Sequence, residues 1–232
     1  MQYLIHYDFS RLVGYFRKLI SKDDLTENEV RNLTTILFAS WLNDYPGAED
    51  LFKTFLKRHE GSHSAALHNC FDFFYFKSEV SQKTIKILEY LLNEAEKKVI
   101  KRFEAEFRSM DKIAFLDVYP FLLKYVVSSV FNISDYFLEY LIRHCYNYPV
   151  ECIGLFEMAI DNDHLESEDG ENYFRENDSI TKFIIGAYTV LRPSHIDSHR
   201  MYQKKLLNAF DKILKNPRFR TNTEKVLERI IG

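Results

Sequence analysis

The chain has 232 residues, 46% of them hydrophobic, and a formal net charge of −3. That length holds one large domain or two small ones, and a total so near neutral neither demands nor excludes an anionic partner. Seven glycines and five prolines are too few for an all-β protein, which turns about every ten residues, so the composition reads as mostly helical. No run of 18 apolar residues goes uninterrupted by charge, and MQYLIHYDFSRLVGYF lacks the basic start, apolar run and cleavage site of a signal peptide; no membrane span is expected, and the expected compartment is the cytoplasm. Cys70, Cys145 and Cys152 are odd in number and without CxxC spacing, which reads as buried free thiols in a reducing compartment.

In chain order, Phe9 to Ile20 forms a first helix, ended by the polar SKDD. A second opens on a capping box, with Thr26 accepting from the backbone while Glu29 reaches back, and carries Val30, Leu33, Leu37 and Trp41 on one face. Tyr45-Pro46-Gly47 stops it. Ala48 to Arg58 shows Leu51, Phe52, Phe55 and Leu56, and a fourth helix from Ser62 contains FDFFYF. That aromatic run covers more than one face, so it should be sandwiched between neighbours or partly exposed. From Ser81 a helical pattern runs through Phe107 without Gly or Pro, unless it bends around Glu94 to Lys98.

Next come two one-sided helices. Leu122, Leu123, Val126, Val127 and Val130 recur at three-and-four spacing, as do Phe137, Leu138, Leu141, Ile142 and Cys145 after a Ser-Asp turn. Each buried apolar side chain contributes roughly 1.5–3 kcal/mol, so such helices need neighbours. A third shows Ile153, Phe156 and Ile160. After a polar stretch, helix returns with Ile180, Phe183, Ile184, Ala187, Tyr188 and Leu191, and resumes near His199 with Leu206, Ala209, Phe210, Ile213 and Leu214. Asn216-Pro217 precedes a last helix behind a capping box of Thr221 and Glu224.

About eleven helices with short connectors make an all-α chain. Tyr-Pro pairs beginning at Tyr45, Tyr119 and Tyr148 are each expected at a helix boundary. Units starting near Tyr119, Tyr148 and Ser198 are spaced by 29 and 50 residues, and paired helices with periods near 40 are those of HEAT and armadillo repeats. The expectation is a HEAT/armadillo-like α-solenoid of antiparallel helix pairs. It is a single domain over 1–232, divisible into a helical part at 1–110 and a repeat part at 111–232.

Candidate chemistry is sparse. Pro193 and a cap at Asp197 or Ser198 put His195 outside the helix that holds His199, which voids their four-residue spacing. His59, His63 and His68 straddle Gly61, and no HExxH occurs, so surface histidines and no metal are expected. DNDHLESEDGENYFREND holds eight carboxylates and one arginine, Arg175. It is no EF-hand, since the sixth position from Asp161 is Glu166 where the loop needs Gly. Asp161, Asp163, Glu166, Glu168, Asp169 and Glu171 stand instead as a solvated loop or a docking site for a basic partner. From Arg192 to Gly232 the sign reverses, with ten Lys or Arg against four Asp or Glu. Arg200, Lys204, Lys205, Lys212, Lys215, Arg218 and Arg220 make a positive strip that could follow phosphates or remain a solvated face. GxxxxGK[ST], GxGxxG and GxSxG are missing, the cysteines lack a readable His partner, and Glu104 and Glu106 point to different sides of a helix. No catalytic residue and no cofactor is expected.

NYPVECIGLFEMAID, SITKFIIGAYTVLR and YQKKLLNAFDKILKNPRFRTNTEKVLERI carry a resemblance. Residues 148–231 look like the carboxy-terminal helical repeats of large bacterial STAND-type ATPases, several of which sense bacteriophage proteins. The likeness lies in the Pro-opened helix, the helix ending in Leu-Arg, and the Leu-x-x-Phe-Asp-x-x-Leu helix before a closing amphipathic one. It implies a target-recognition or regulatory module of an antiphage system, with a protein partner. That family's ATP-binding loop is absent, so ATPase activity does not carry over. A second HEAT-like family, the alkylpurine DNA glycosylases, uses a catalytic aspartate in a Trp-Asp context, whereas Trp41 here is followed by Leu42. The expected function is therefore a non-enzymatic protein-interaction module, the alternative being a nucleic-acid-binding HEAT-like repeat protein of the DNA-repair type.

Overall fold

The computed structural model describes residues 9–77, 81–96, 99, 102–103, 106–107, 110–129, 131, 133–162, 180, 183–189 and 197–215. Among these residues every regular element is a helix and no strand occurs. The chain divides into two compact units, Met1–Ala114 and Phe115–Gly232.

The first unit holds α1 (Phe9–Ile20), α2 (Glu27–Leu42), α3 (Ala48–Arg58), α4 (Ser62–Lys77) and α5 (Gln82–Glu94). The Thr26 hydroxyl accepts from the Glu29 backbone N–H while the Glu29 carboxylate accepts from Thr26 N at 2.8 Å, so the capping box starts α2. At its far end Asp44 and Gly47 take left-handed φ of 58° and 78°. Gly enters that region without steric cost, and Asp is among the few other residues that tolerate it. α2 packs on α3, α4 and α5, α1 packs on α3, and α4 lies against α3 and α5. Leu37, Phe52, Phe55, Leu56, Phe74 and Leu88 fill the interior.

FDFFYF divides by face: Phe71 and Phe74 are buried, Asp72 and Phe73 half-buried, and Tyr75 and Phe76 exposed. The helical pattern expected from Ser81 to Phe107 breaks in the stretch where the sequence allows a bend, around Glu94 to Lys98: α5 stops at Glu94, and Ala95 turns extended at φ −84°, ψ 152°. A straight rod over that span would run about 40 Å, well past the roughly 24 Å of a 16-residue helix such as α4. Turning at Ala95 lets Phe103 return onto Phe71, ring centroids 5.3 Å apart, while Arg102 donates to Ser64 Oγ at 2.6 Å.

The second unit holds α6 (Phe115–Val126), α7 (Asp135–Cys145), α8 (Pro149–Asn162) and α9 (Asp197–Lys215), with further helical residues at 180 and 183–189. Phe115 at the start of α6 lies 6.0 Å from Tyr140 and 5.0 Å from His144 on α7, whereas Tyr125 at its end meets Phe137 at 6.4 Å, so α6 and α7 run antiparallel. Ser134 caps α7 by accepting from Phe137 N. α8 packs on α6, α7 and α9. Phe183 stacks on Phe156 of α8 with centroids 4.2 Å apart, and Gly186 sits against Ile142 of α7.

Two expectations are corrected in this unit. Tyr119-Pro120 is no boundary, because Pro120 lies inside α6. The missing N–H removes one bond to the Leu116 carbonyl, and the first turn is held instead by Phe115, which packs on Tyr119, Tyr140, His144 and Tyr148. With the helix starting at Phe115, the buried face runs through Val118, Phe121, Leu122, Tyr125 and Val126, so Val127 turns outward and Leu123 stays half-buried. Tyr45-Pro46 does separate α2 from α3, and Pro149 opens α8. Val130, Leu191, Pro193, His195, the Asn216-Pro217 break, and the last helix with its Thr221 and Glu224 lie outside the described residues.

Candidate functional site

Contact chemistry concentrates on α9. Its inward face is Leu206, Ala209 and Phe210, all buried. On the helical wheel, Arg200, Lys204, Leu207 and Asp211 follow one another at i, i+4, i+7 and i+11 along the opposite side, with Met201 and Asn208 beside them. Arg200, Lys204, Lys212 and Lys215 are exposed and Lys205 is half-buried. Met201 is 54% exposed and Leu207 59%. Met201 thus stands beside Lys204 and Lys205, and Leu207 between Lys204 and Asp211, about 120° round the helix from Met201.

The strip's charge is partly spent. Lys212 Nζ lies 2.9 Å from Asp161 Oδ2, tying the end of α9 to the end of α8. Lys215 pairs with Asp211 one turn back. Arg200, Lys204 and Lys205 hold no ion pair among the described residues. Of the acidic loop, only Asp161 is described, exposed in the last turn of α8; Asp163, Glu166, Glu168, Asp169 and Glu171 lie outside the described residues, as do Arg218 and Arg220 at the end of the basic strip.

The sequence reading named every cation of this face and neither Met201 nor Leu207. The Leu206-Leu207 pair carries the signal, because neighbours on a helix point about 100° apart and a narrow buried stripe cannot take both.

A second exposed apolar spot ends α4. Tyr75 and Phe76 meet edge to face at 5.3 Å, and Lys112 Nζ sits 3.5 Å over the Tyr75 ring, a cation–π contact within the first unit.

The thiols lack nucleophilic character. Burial pushes Cys70 well above its ordinary value and Cys145 up to about 11, and it raises Cys152 further, with Cys145 and Glu151 adding in the same direction. Two histidines of the first unit serve packing: His59 Nε2 lies 3.1 Å from the Ile20 carbonyl, and His63 is buried with Nε2 3.0 Å from the Leu56 carbonyl. His63 is therefore no surface histidine, because the carbonyl of α3 offers its ring N–H a partner inside the core. His68 does stand at the surface, beside Asp72 at 3.4 Å. Among the described residues no three His, Cys, Asp or Glu gather where they could hold a metal ion, and no helix is long and apolar enough to cross a membrane. Compared with protein-family models, with curated proteins and with solved structures, the chain finds no match.

Proposed function

We propose that the chain is a protein-recognition module of stacked antiparallel helix pairs that binds a partner on the outward face of α9. Two features support the stack: α6, α8 and α9 pack in succession, while α7 and residues 183–189 lie against each other through Ile142 and Gly186. The observation that carries the function is that one helix exposes Met201 and Leu207 together with Arg200, Lys204 and Lys205, which hold no ion pair among the described residues. Apolar side chains in a cationic frame fit an amphipathic, acidic protein segment, whose burial of the two side chains gives affinity and whose carboxylates give orientation. The likeness of residues 148–231 to the sensor repeats of STAND-type ATPases is consistent with a protein target of bacteriophage origin.

A nucleic acid fits the same face less well, because Asp161 and Asp211 neutralise two of its lysines and its centre is apolar. The test is copurification from the native host with unaltered bait and with a Met201→Glu, Leu207→Glu bait, followed by mass spectrometry and by duplex DNA retention. Proteins retained by the first bait and lost by the second support the reading. Identical protein sets, or DNA retention that falls steeply with salt and survives the substitutions, overturn it.

A further inference from the structure

The chain carries sulfur in three cysteines and four methionines, and the folded surroundings of these atoms differ. Cys70, Cys145 and Cys152 are buried, and burial holds each as the unreactive thiol. Met110 is fully buried and Met158 is half-buried in α8. Met201, in the first turns of α9, is 54% exposed. Met1 lies outside the described residues. An oxidant must reach a thioether to oxidise it, and a thiol must in addition ionise. Among the described residues a peroxide therefore meets Met201 first.

The neighbours of Met201 give its oxidation a consequence. Lys204 and Lys205 follow it at i+3 and i+4, the spacings at which side chains of one helix meet, with Cβ atoms about 5–6 Å apart. Neither lysine holds an ion pair among the described residues. A thioether is a weak hydrogen-bond acceptor, whereas a sulfoxide oxygen is polar enough to accept from an ammonium group. Oxidation thus acts twice on this face: it makes the apolar contact of Met201 polar, and it draws the two ammonium groups toward the new oxygen and away from a partner's carboxylates. Met158 is placed differently. Its i+3 and i+4 positions hold Asp161 and Asn162, and Asp161 is already tied to Lys212.

We propose that Met201 is an oxidation site and that its conversion to the sulfoxide by a peroxide turns the outward face of α9 from binding to non-binding. The sulfur lone pair attacks one peroxide oxygen, the O–O bond breaks, and with hydrogen peroxide the other oxygen leaves as water. Sulfur is oxidised by two electrons and the peroxide is reduced by two; sulfoxide reductases reverse the step. The regulatory half rests on the α9 reading given above, and the modification site does not.

Graded hydrogen peroxide on the full folded chain, followed by peptide mass spectrometry, reads the site. Met201 should be oxidised ahead of Met158, and Met110 and the three cysteines only once urea unfolds the chain. Met158, Met110 or a cysteine modified as fast as Met201 in the folded chain overturns the proposal. The half-oxidised chain is then passed over an immobilised synthetic peptide with leucine on one face of a helix and glutamate on the other. Chains that flow through should be enriched about tenfold in Met201 sulfoxide over those retained, the low end of what one lost apolar contact of this size does to affinity. Sulfoxides at Met1 and Met158 should divide evenly, and treatment with both sulfoxide reductases, one per epimer, should restore retention. An even division of the Met201 sulfoxide overturns the switch. An unoxidised chain that the peptide fails to retain refutes the α9 reading and takes the switch with it, and the peroxide map then decides the modification site by itself.

Discussion

Lys83 is the best single point at which to test how the first unit is held together. It stands in the first turn of α5, yet its ammonium donates to the carbonyls of Trp41 at 2.8 Å and Leu42 at 3.3 Å, the last residues of α2, and it pairs with Asp44 at 2.5 Å. Carbonyls at a helix end have no intrahelical donor and carry the negative end of the dipole. Lys83→Met keeps the apolar stem and removes the donors. The side chain of Lys83 is only 24% exposed and that of Asp44 83%, so the ion pair sits in water and contributes about 0–0.5 kcal/mol. The two charge-assisted bonds and the dipole together contribute about 2–3 kcal/mol. Urea unfolding should therefore show Lys83→Met destabilised by about 2–3 kcal/mol with an unchanged slope, and Asp44→Asn by less than about 0.5 kcal/mol. Equal losses would mean that the ion pair dominates and would refute the reasoning. So would a Lys83→Met chain as stable as the original.

Gly154 lies inside α8 with nothing near the place a Cβ would occupy, so Gly154→Ala should stabilise by about 0.5–1 kcal/mol in thermal or urea unfolding. At Gly186 the same Cβ would meet Ile142 Cγ2 at 3.3 Å, so Gly186→Ala should lose most of that gain in the original chain and show it in an Ile142→Ala background, where the γ and δ carbons it meets are gone. The hydrogen bonds from Thr26 hold the Glu29 carboxyl below its ordinary value. The cap's contribution is thus present above the unfolded pKa and lost as pH falls through the lower folded one. The stability difference between the original chain and Glu29→Gln should hold at neutral pH and shrink as pH falls from the ordinary carboxylate pKa to the lower folded one. Burial raises all three thiols, so the native chain should leave a disulfide reagent unreacted at pH 8 and consume it on unfolding.

Much of the helical pattern was legible because it is written locally. Tyr45-Pro46-Gly47 closes α2 just where α3 begins, and Thr26 with Glu29 announces α2. What escaped was decided by tertiary contact. Asn93 to Glu96 contains no Gly or Pro, so the sequence leaves a bend around Glu94 to Lys98 open without deciding it; the chain turns at Ala95, and Phe103 packs on Phe71. Pro120 should have ended a helix, and the packing of Phe115 on α7 outweighs it. The apolar residues that face outward, Met201 and Leu207 on α9 and Leu116 and Val127 at α6, obey the same spacing rules as the buried ones. Periodicity counts them as core until the neighbours are placed.

The most direct measurement is hydrogen exchange on the full chain with and without its captured protein partner. The recognition reading predicts slowed exchange, on binding, in the α9 segment around Arg200 to Asp211, and none of that slowing when Met201 and Leu207 are replaced by glutamate. Slowing confined to other helices, or the same α9 protection produced by duplex DNA alone, would contradict it.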